Sequence, residues 1–179
     1  AEIVLTSLPS PAAAATVAEQ IAGSGATQRI VLELSTLALA DKLRFKDILA
    51  QAGHIALDCP LSGTGAQAAQ RDLVVYASGD SAAIARAAPL FADFAKQSAD
   101  LGTYGNGSRM KFIANHLVAI HNVAAAEALM LAERAGLDLA QTIEVIGPGA
   151  GGSRMFQMRA PMMAAHDYLP ATMRVSTWK

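Results

Sequence analysis

The feature that most limits how this chain can fold is a regular alternation of short apolar runs with longer helix-compatible runs. Apolar runs typical of buried strands occupy residues 3–8, 29–34, 54–59, 73–77 and, more weakly, 99–101. Helical patterns lie between them at residues 12–22, 39–52 and 81–95. Strands that alternate with helices of about a dozen residues form parallel βαβ units. The first part of the chain therefore predicts an α/β fold with a parallel sheet.

The rest of the chain reads as helical, and its longest pattern runs from Gly107 to about Ala135. Apolar residues recur along it at the spacing of one buried stripe: Ile113, Leu117, Ile120, Ala124, Ala128 and Leu131. Lys111, Asn115 and Asn122 return to nearly the same side of this helix. They predict the polar edge of a cleft, although solvated polar side chains on a helix surface show the same pattern. Shorter helices are predicted at residues 139–146 and 153–165.

Charge and composition exclude several classes of partner. The net charge is -1, and the chain shows no basic stripe of the kind that binds nucleic acid. No uninterrupted apolar run reaches the roughly 18 residues of a membrane span. The single Cys59 excludes an internal disulfide and fits a reducing compartment, so we expect a cytoplasmic protein. None of the four histidines has a second ligand at metal-binding spacing, so we expect no metal site.

Residues 147–152 read GPGAGG and satisfy the letters of the dinucleotide-binding pattern G-x-G-x-x-G. That pattern needs a strand before it, a helix after it and an acidic residue about 20 positions later. Here a helical pattern precedes the glycines, Pro148 lies among them, and no strand follows. We therefore interpret this segment as a flexible loop between two helices.

Three loops follow predicted strands, at the edge of a parallel sheet where ligands bind. They are residues 8–10, 35–36 and 62–65, and all three are small, polar or rich in glycine. Such residues let backbone N–H groups approach a ligand, but ordinary turns use the same residues. Taken alone, each loop favours a turn over a binding site.

Two segments resemble motifs of the β-hydroxyacid dehydrogenase family. Residues 58–63, DCPLSG, resemble the family's substrate loop. Residues 105–115, GNGSRMKFIAN, resemble its catalytic segment, in which two glycines precede a lysine and an asparagine. Weaker matches follow in the family's order at Leu8-Pro9, at Ser35-Thr36 and at residues 127–138. The resemblance covers essentially the whole chain.

The resemblance implies a partial Rossmann-type parallel sheet followed by an all-α domain led by a long inter-domain helix. Residues 1–102 would be an incomplete NAD(P)-binding domain whose Gly-rich loop is missing. Residues 103–179 would be an incomplete helical domain for substrate binding and dimerisation. The family further implies a homo-oligomer, either a dimer or a tetramer.

The implied activity is the NAD- or NADP-dependent interconversion of a small hydroxy acid, such as 3-hydroxyisobutyrate, with its aldehyde or keto acid. Lys111 would be the general acid/base, because a partly desolvated cleft lowers a lysine pKa toward the useful range. The implied substrate-binding residues are Ser62, Gly63, Thr64, Asn115 and Ser153. The implied cofactor-binding residues are Leu8, Pro9 and Thr36.

The sequence departs from the family pattern in three respects. His116 follows Asn115 where the family often has a second asparagine, and the family's later lysine would fall at or just beyond Lys179. Without the Gly-rich pyrophosphate loop, this stretch alone is expected to bind a dinucleotide weakly and to be inactive. Two alternatives stay open: a non-catalytic helical dimerisation or ligand-binding module, and an imine-reductase-like relative. An acidic or aromatic residue in place of Lys111 would favour the second.

Overall fold

The computed structural model describes residues 1–169 of the chain, without the side chain of Ala66. Two compact units divide the chain, residues 1–112 and residues 113–179. The helices and strands are, in order, β1 Ile3–Thr6, α1 Pro11–Ala22, β2 Ile30–Glu33, α2 Leu39–Gln51, β3 Ile55–Asp58, β4 Leu61–Ser62, α3 Gly65–Ala69, β5 Val74–Ala77, α4 Ser81–Phe94, β6 Gln97–Asp100, α5 Asn106–Arg134, α6 Leu139–Ile146 and α7 Arg154–Ala164.

The first three strands form a parallel sheet in the order β1-β2-β3, as the alternating pattern predicted. In its register, Ile30 of the central strand lies opposite Ile3 on one side and Ile55 on the other. Every residue of β2 is buried, which fits a central strand covered on both faces by crossover helices. The α/β fold class is confirmed.

A second group of strands adds antiparallel pairing that the sequence did not reveal. β5 pairs in parallel with β6 and antiparallel with the two-residue strand β4, and an antiparallel bridge joins Asp58 to Ser78. β4 and the short helix α3 lie in and just after residues 60–65, which we had interpreted as a loop. β4 has two residues and α3 has five, which is too few for a periodicity to be recognised in the sequence.

Two apolar clusters hold the first unit together. Phe45 and Leu49 of α2 pack with Val31 of β2 and with the alanines of α1. The other cluster joins Ile30, Leu32, Leu57 and Val75 of the strands to the buried face of α4, including Phe91. Ser10 caps α1 by accepting a hydrogen bond from the Ala13 N–H at 3.2 Å, and Pro11 suits the first turn of the helix.

The second unit contains most of α5 together with α6 and α7. Ala125 and Leu129 of α5 pack against Phe156 and Ala160 of α7. Residues 147–152 follow α6 directly and lead into α7, so the interpretation of these glycines as a helix–helix loop is confirmed.

The predicted domains, residues 1–102 and 103–179, stay predictions. The family's later lysine, at or beyond Lys179, lies outside the described residues.

By length and apolar composition alone, α5 could cross a membrane, which we had not expected from the sequence. A single helix of this kind is weak support for a membrane protein, because long helices of soluble proteins pass the same test. The first unit also anchors the first turn of α5 by hydrogen bonds that are described below.

Candidate active site

The carboxyl ends of β1 and β2 bring the predicted cofactor contacts to one edge of the sheet. The Leu8 N–H donates to Ser35 Oγ at 2.7 Å, so the loops after these two strands are bonded to each other. Pro9 and Thr36, which follow these two residues, are exposed to solvent. The edge thus presents an apolar side chain, a proline and a free hydroxyl where α/β sheets bind ligands.

The predicted substrate loop has a backbone that only glycine fits at one position. Ser62 is half-buried and pairs with Val74 across the β4–β5 ladder. Gly63 has a φ of +139°, and a Cβ atom added there would lie 2.5 Å from Leu73 Cδ2. A side chain at Gly63 would therefore be strained as well as crowded, which keeps the backbone beside Ser62 accessible.

Thr64 is engaged within the loop itself. Its backbone N–H donates to Gln67 Oε1 at 3.0 Å, and its hydroxyl lies 3.3 Å from the same oxygen. Gln67 Nε2 donates in turn to Asp72 Oδ2 at 2.9 Å. We had expected the Thr64 N–H to hold a substrate carboxylate, but this donor is already used to cap α3. Thr64 shapes the loop in this structure.

Lys111 lies in the second turn of α5, and its side chain is partly buried. Burial lowers the pKa of its ammonium below the ordinary value, because removal from water disfavours the charged form. Asn115 follows one turn later on the same helix and is half-buried. Because a lowered pKa increases the fraction of neutral amine, Lys111 is better suited to accept a proton than a fully solvated lysine.

Asn122 and Ser153, two polar residues of the second unit that the sequence analysis singled out, have local hydrogen-bond partners. Asn122 Nδ2 donates to the Val118 carbonyl at 2.9 Å, so its amide bonds back to its own helix. Ser153 caps α7, its Oγ accepting from the Phe156 N–H at 3.0 Å. The Ser153 hydroxyl still has its own hydrogen to donate. Asn115 and Ser153 belong to one unit, and Ser62, Gly63, Thr64, Lys111 and the predicted cofactor contacts belong to the other.

A buried polar cluster that sequence analysis missed lies at the carboxyl edge of the sheet. We call it the Lys42 cluster, and it consists of Glu33, Lys42, Asp58, Ser78 and Ser108. The side chains of Lys42, Glu33 and Asp58 have no exposed surface. The Lys42 ammonium contacts Glu33 Oε2, the Glu33 carbonyl at 3.2 Å and Asp58 Oδ1 at 3.0 Å. The ammonium therefore has one hydrogen bond, to the Glu33 carbonyl, and two carboxylate neighbours at ion-pair distance.

The sequence did contain a signal for this cluster. Glu33 and Asp58 are carboxylates within or at the end of strands that we predicted to be buried. Lys42 occupies the same helical stripe as Phe45 and Leu49, which are core residues of α2. A lysine on an apolar stripe, opposite carboxylates in buried strands, predicts a buried ion pair, since a buried charge must be paired.

Cys59, beside this cluster, is fully buried. Burial, with a further contribution from the neighbouring Asp58 carboxylate, raises the pKa of its thiol to about 12. A thiol that stays protonated is a poor nucleophile and a poor metal ligand. The side chain of Cys59 packs in the hydrophobic core of the first unit.

Comparison with known families identifies the family to which this chain belongs. The profile described as the NAD binding domain of 6-phosphogluconate dehydrogenase matches residues 1–105. The profile described as the NAD-binding domain of NADP-dependent 3-hydroxyisobutyrate dehydrogenase matches residues 105–178. The chain belongs to the β-hydroxyacid dehydrogenase family. The resemblance carried by residues 58–63 and 105–115 is thereby confirmed, as is NAD or NADP as the class of cofactor of the family.

Curated relatives of this β-hydroxyacid dehydrogenase chain are bacterial and plant enzymes. It is 38% identical over 141 residues to L-threonate dehydrogenase of Escherichia coli O6:H1, covering 78% of this chain and 47% of the relative. It is 30% identical over 140 residues to glyoxylate/succinic semialdehyde reductase 1 of Arabidopsis thaliana, covering 78% and 48%. The chain thus spans about half the length of the curated relatives it matches.

Solved structures share the fold of this β-hydroxyacid dehydrogenase chain. The 3-hydroxyisobutyrate dehydrogenase of Salmonella typhimurium aligns with a TM-score of 0.86 at 31% identity, over 99% of this chain and 62% of that one. An imine reductase of Streptomyces aurantiacus aligns with a TM-score of 0.72 at 19% identity, over 98% and 62%. The second similarity shows a shared fold alone.

Proposed function

We propose that the protein containing this chain is an NAD(P)-dependent oxidoreductase that interconverts a small hydroxy acid with its aldehyde or keto acid. The observation that carries the proposal is Lys111, a partly buried lysine whose pKa is lowered by desolvation. It stands in the segment that matches the family's catalytic motif, on the helix whose first turn is bonded to the carboxyl edge of the sheet. The family membership supplies the reaction class.

Lys111 moves the proton that the reaction requires. During oxidation, its neutral amine takes the proton from the substrate hydroxyl as the carbonyl forms. During reduction, its ammonium returns a proton to the carbonyl oxygen. The nicotinamide, when bound, accepts or supplies the hydride. A lysine at its ordinary pKa is almost fully protonated at neutral pH, and the lowering of the Lys111 pKa by burial increases the fraction of neutral amine available as a base.

The substrate carboxylate is held by the loop that begins at Asp58. The Ser62 hydroxyl and the Gly63 N–H are the donors, and Thr64 with Gln67 keeps the loop in shape. Hydrogen bonds from a hydroxyl and a backbone N–H suit an anionic oxygen. Asn115, one turn after Lys111 on α5, donates a hydrogen bond to the substrate, and Ser153 is a further proposed substrate contact through its remaining hydroxyl hydrogen.

The residues present fit the nicotinamide and ribose side of a dinucleotide. The apolar Leu8 side chain and Pro9 offer a surface for the ring, and the exposed Thr36 hydroxyl offers a hydrogen-bonding partner for the ribose. These three residues lie on loops joined by the Leu8–Ser35 hydrogen bond.

We also propose a homo-oligomer, because α5 exposes large apolar side chains. Ile113 and Leu131, which we had predicted to lie on a buried stripe, are exposed, and Ala125 and Leu129 are buried instead. A cytoplasmic location is proposed from the single cysteine.

The relatives narrow the substrates to be tested with the full-length protein. L-Threonate and 3-hydroxyisobutyrate with NAD⁺ or NADP⁺, and glyoxylate and succinic semialdehyde with NADH or NADPH, form the panel. Turnover is measured as the change in nicotinamide absorbance. We expect turnover of at least one of these acids, and no turnover of the matching alcohol or aldehyde that lacks the carboxylate. Equal rates with and without the carboxylate would contradict the role of Ser62 and Gly63.

The pH dependence should differ between the two directions. Oxidation needs the neutral Lys111 amine, so its kcat/KM is expected to rise as pH rises through the Lys111 pKa. Reduction needs the ammonium, so its kcat/KM is expected to fall over the same range. Because burial lowers this pKa, both inflections should lie below the ordinary lysine value of about 10.4. Profiles that move in the same direction would rule out one shared acid/base group.

A further inference from the structure

Asp58 is the residue through which the Lys42 cluster reaches helix α5. Its Oδ2 accepts the Ser108 N–H at 2.7 Å and lies 3.3 Å from Ser78 Oγ. Its Oδ1 accepts from Ser108 Oγ at 2.9 Å and pairs with the Lys42 ammonium at 3.0 Å. Both carboxylate oxygens are thus occupied, and the side chain is fully buried. A carboxylate held at this many points has a single orientation.

These contacts provide hydrogen-bond acceptors for backbone N–H groups in the first turn of α5, which begins at Asn106. The first N–H groups of a helix have no partner within the helix. Here the Gly107 N–H donates to Ser78 Oγ at 2.9 Å, and the Ser108 N–H donates to Asp58. An anion at a helix N-terminus also interacts favourably with the helix dipole. The second and third N–H groups of α5 are therefore capped by residues of the sheet edge, whereas the Asn106 N–H donates to the Thr103 carbonyl of the preceding loop.

Close packing fixes the same turn against the strands. A Cβ atom added at Gly107 would lie 2.7 Å from the Asp58 carbonyl oxygen and closer still to the Tyr76 carbonyl oxygen. The helix therefore approaches the two strand ends as closely as a backbone can. Hydrogen bonds at Gly107 and Ser108 then determine how the helix is rotated about its axis.

Lys111 follows Ser108 by three residues, which is less than one helical turn and a rise of about 4.5 Å. A rigid first turn therefore sets where the Lys111 side chain leaves the helix. Misplacement of a reacting group by about 1 Å can lower a rate about 10²-fold.

We propose that Asp58, held by the buried Lys42–Glu33 pair, is a positioning residue that orients Lys111 by fixing the first turn of α5. Asp58 touches neither substrate nor cofactor in this role, and it acts only through the helix. The inference rests on the proposed function, because it assigns Asp58 a part in the reaction of Lys111.

The first test replaces Asp58 with asparagine in the full-length protein. The amide keeps the shape of the side chain, but it has one acceptor oxygen where the carboxylate has two. We expect Asp58→Asn to lower kcat about 10²-fold while KM stays nearly unchanged, at a temperature where circular dichroism shows the variant fully folded. Ser81→Ala, at the exposed first residue of α4, is the control and should retain the wild-type kcat. An unchanged kcat in folded Asp58→Asn would overturn the proposal.

Ser108→Ala keeps the test decisive if the asparagine variant does not fold. It removes the Oγ donor to Asp58 Oδ1 and leaves the backbone N–H bond intact. We expect a smaller reduction of kcat with the same unchanged KM. The double variant Lys42→Met with Glu33→Gln removes one ammonium and one carboxylate together, and should also lower kcat. A wild-type kcat in folded Ser108→Ala would contradict the positioning role of Asp58. A wild-type kcat in the folded double variant would contradict the claim that the Lys42–Glu33 pair holds Asp58 in place.

A double-mutant cycle separates positioning from a general structural effect. If Asp58 acts through Lys111, then Asp58→Asn in the Lys111→Ala background should leave the residual rate unchanged. A further loss equal to that in the wild-type background would show that Asp58 acts independently of Lys111. Full turnover in Lys111→Ala alone would overturn the proposed function, whereas an inactive Lys111→Ala beside a fully active Asp58→Asn would overturn only the positioning role.

Discussion

Lys111→Ala in the full-length protein is expected to lower kcat about 10²- to 10⁴-fold, the range that general acid–base catalysis contributes. Alanine cannot exchange a proton with the substrate oxygen, and no charge remains at the position. The affinity for NADH or NADPH, measured by fluorescence titration, should stay close to that of the wild type. The reason is that the proposed cofactor contacts, Leu8, Pro9 and Thr36, lie on loops after β1 and β2, whereas Lys111 lies on helix α5.

Lys46→Ala is the matched control for this substitution. Lys46 is an exposed lysine on α2 that pairs with Asp47 and lies over the Tyr104 ring. Its removal deletes the same charge from the same unit, and exposed pairs of this kind contribute about 1 kcal/mol or less to stability. We expect wild-type turnover in Lys46→Ala. Unimpaired turnover in Lys111→Ala would show that another group transfers the proton.

Gly107→Ala is expected to lower the free energy of unfolding by about 3 kcal/mol, because overpacking a tight contact strains the backbone. The added Cβ would meet the carbonyl oxygens of Tyr76 and Asp58, which belong to strands and cannot rotate away as a side chain can. Denaturant unfolding of the full-length protein, with the midpoint and slope compared to those of the wild type, measures the change.

Gly65→Ala provides the control for that measurement. A Cβ added at Gly65 meets nothing within 4 Å, and this glycine opens the short helix α3. We expect its midpoint to match the wild type or to rise slightly, since alanine restricts the unfolded chain. Equal destabilisation by the two substitutions would mean that the loss at Gly107 reflects glycine replacement in general and not the contact with the strands.

Most helices and strands could be predicted because their patterns are long enough to be periodic. β2, α4 and α6 lie within a residue or so of the predicted bounds, and the long helix was predicted at residues 107–135 against Asn106–Arg134 in the structure. β4, with two residues, and α3, with five, were missed because each is too short for its period to repeat. The antiparallel bridge between Asp58 and Ser78 depends on how distant strands meet, which no local pattern encodes.

The site was predictable only in part, for a related reason. Motif resemblance singled out Lys111 and Ser62, and the structure adds a desolvated lysine and a loop in which glycine is required. Motif resemblance did not reveal Lys42. Its position on the apolar stripe of α2 was a signal for a buried ion pair, but only the packing of α2 beside β2 and β3 shows which carboxylates it contacts. Nor did motif resemblance reveal that the Thr64 N–H is used to cap α3. Both depend on partners that the fold, and not the local sequence, brings near.

Chemical rescue of Lys111→Ala by small primary amines tests most directly whether Lys111 is the proton-transferring group. With the hydroxy acid and NAD⁺ or NADP⁺ saturating, we predict that kcat rises with the concentration of the neutral amine and with the basicity of the amine, whereas tertiary amines too large for the vacated space have little effect. A rate that no amine restores, in a folded variant that still binds cofactor, would contradict Lys111 as the acid/base of this reaction.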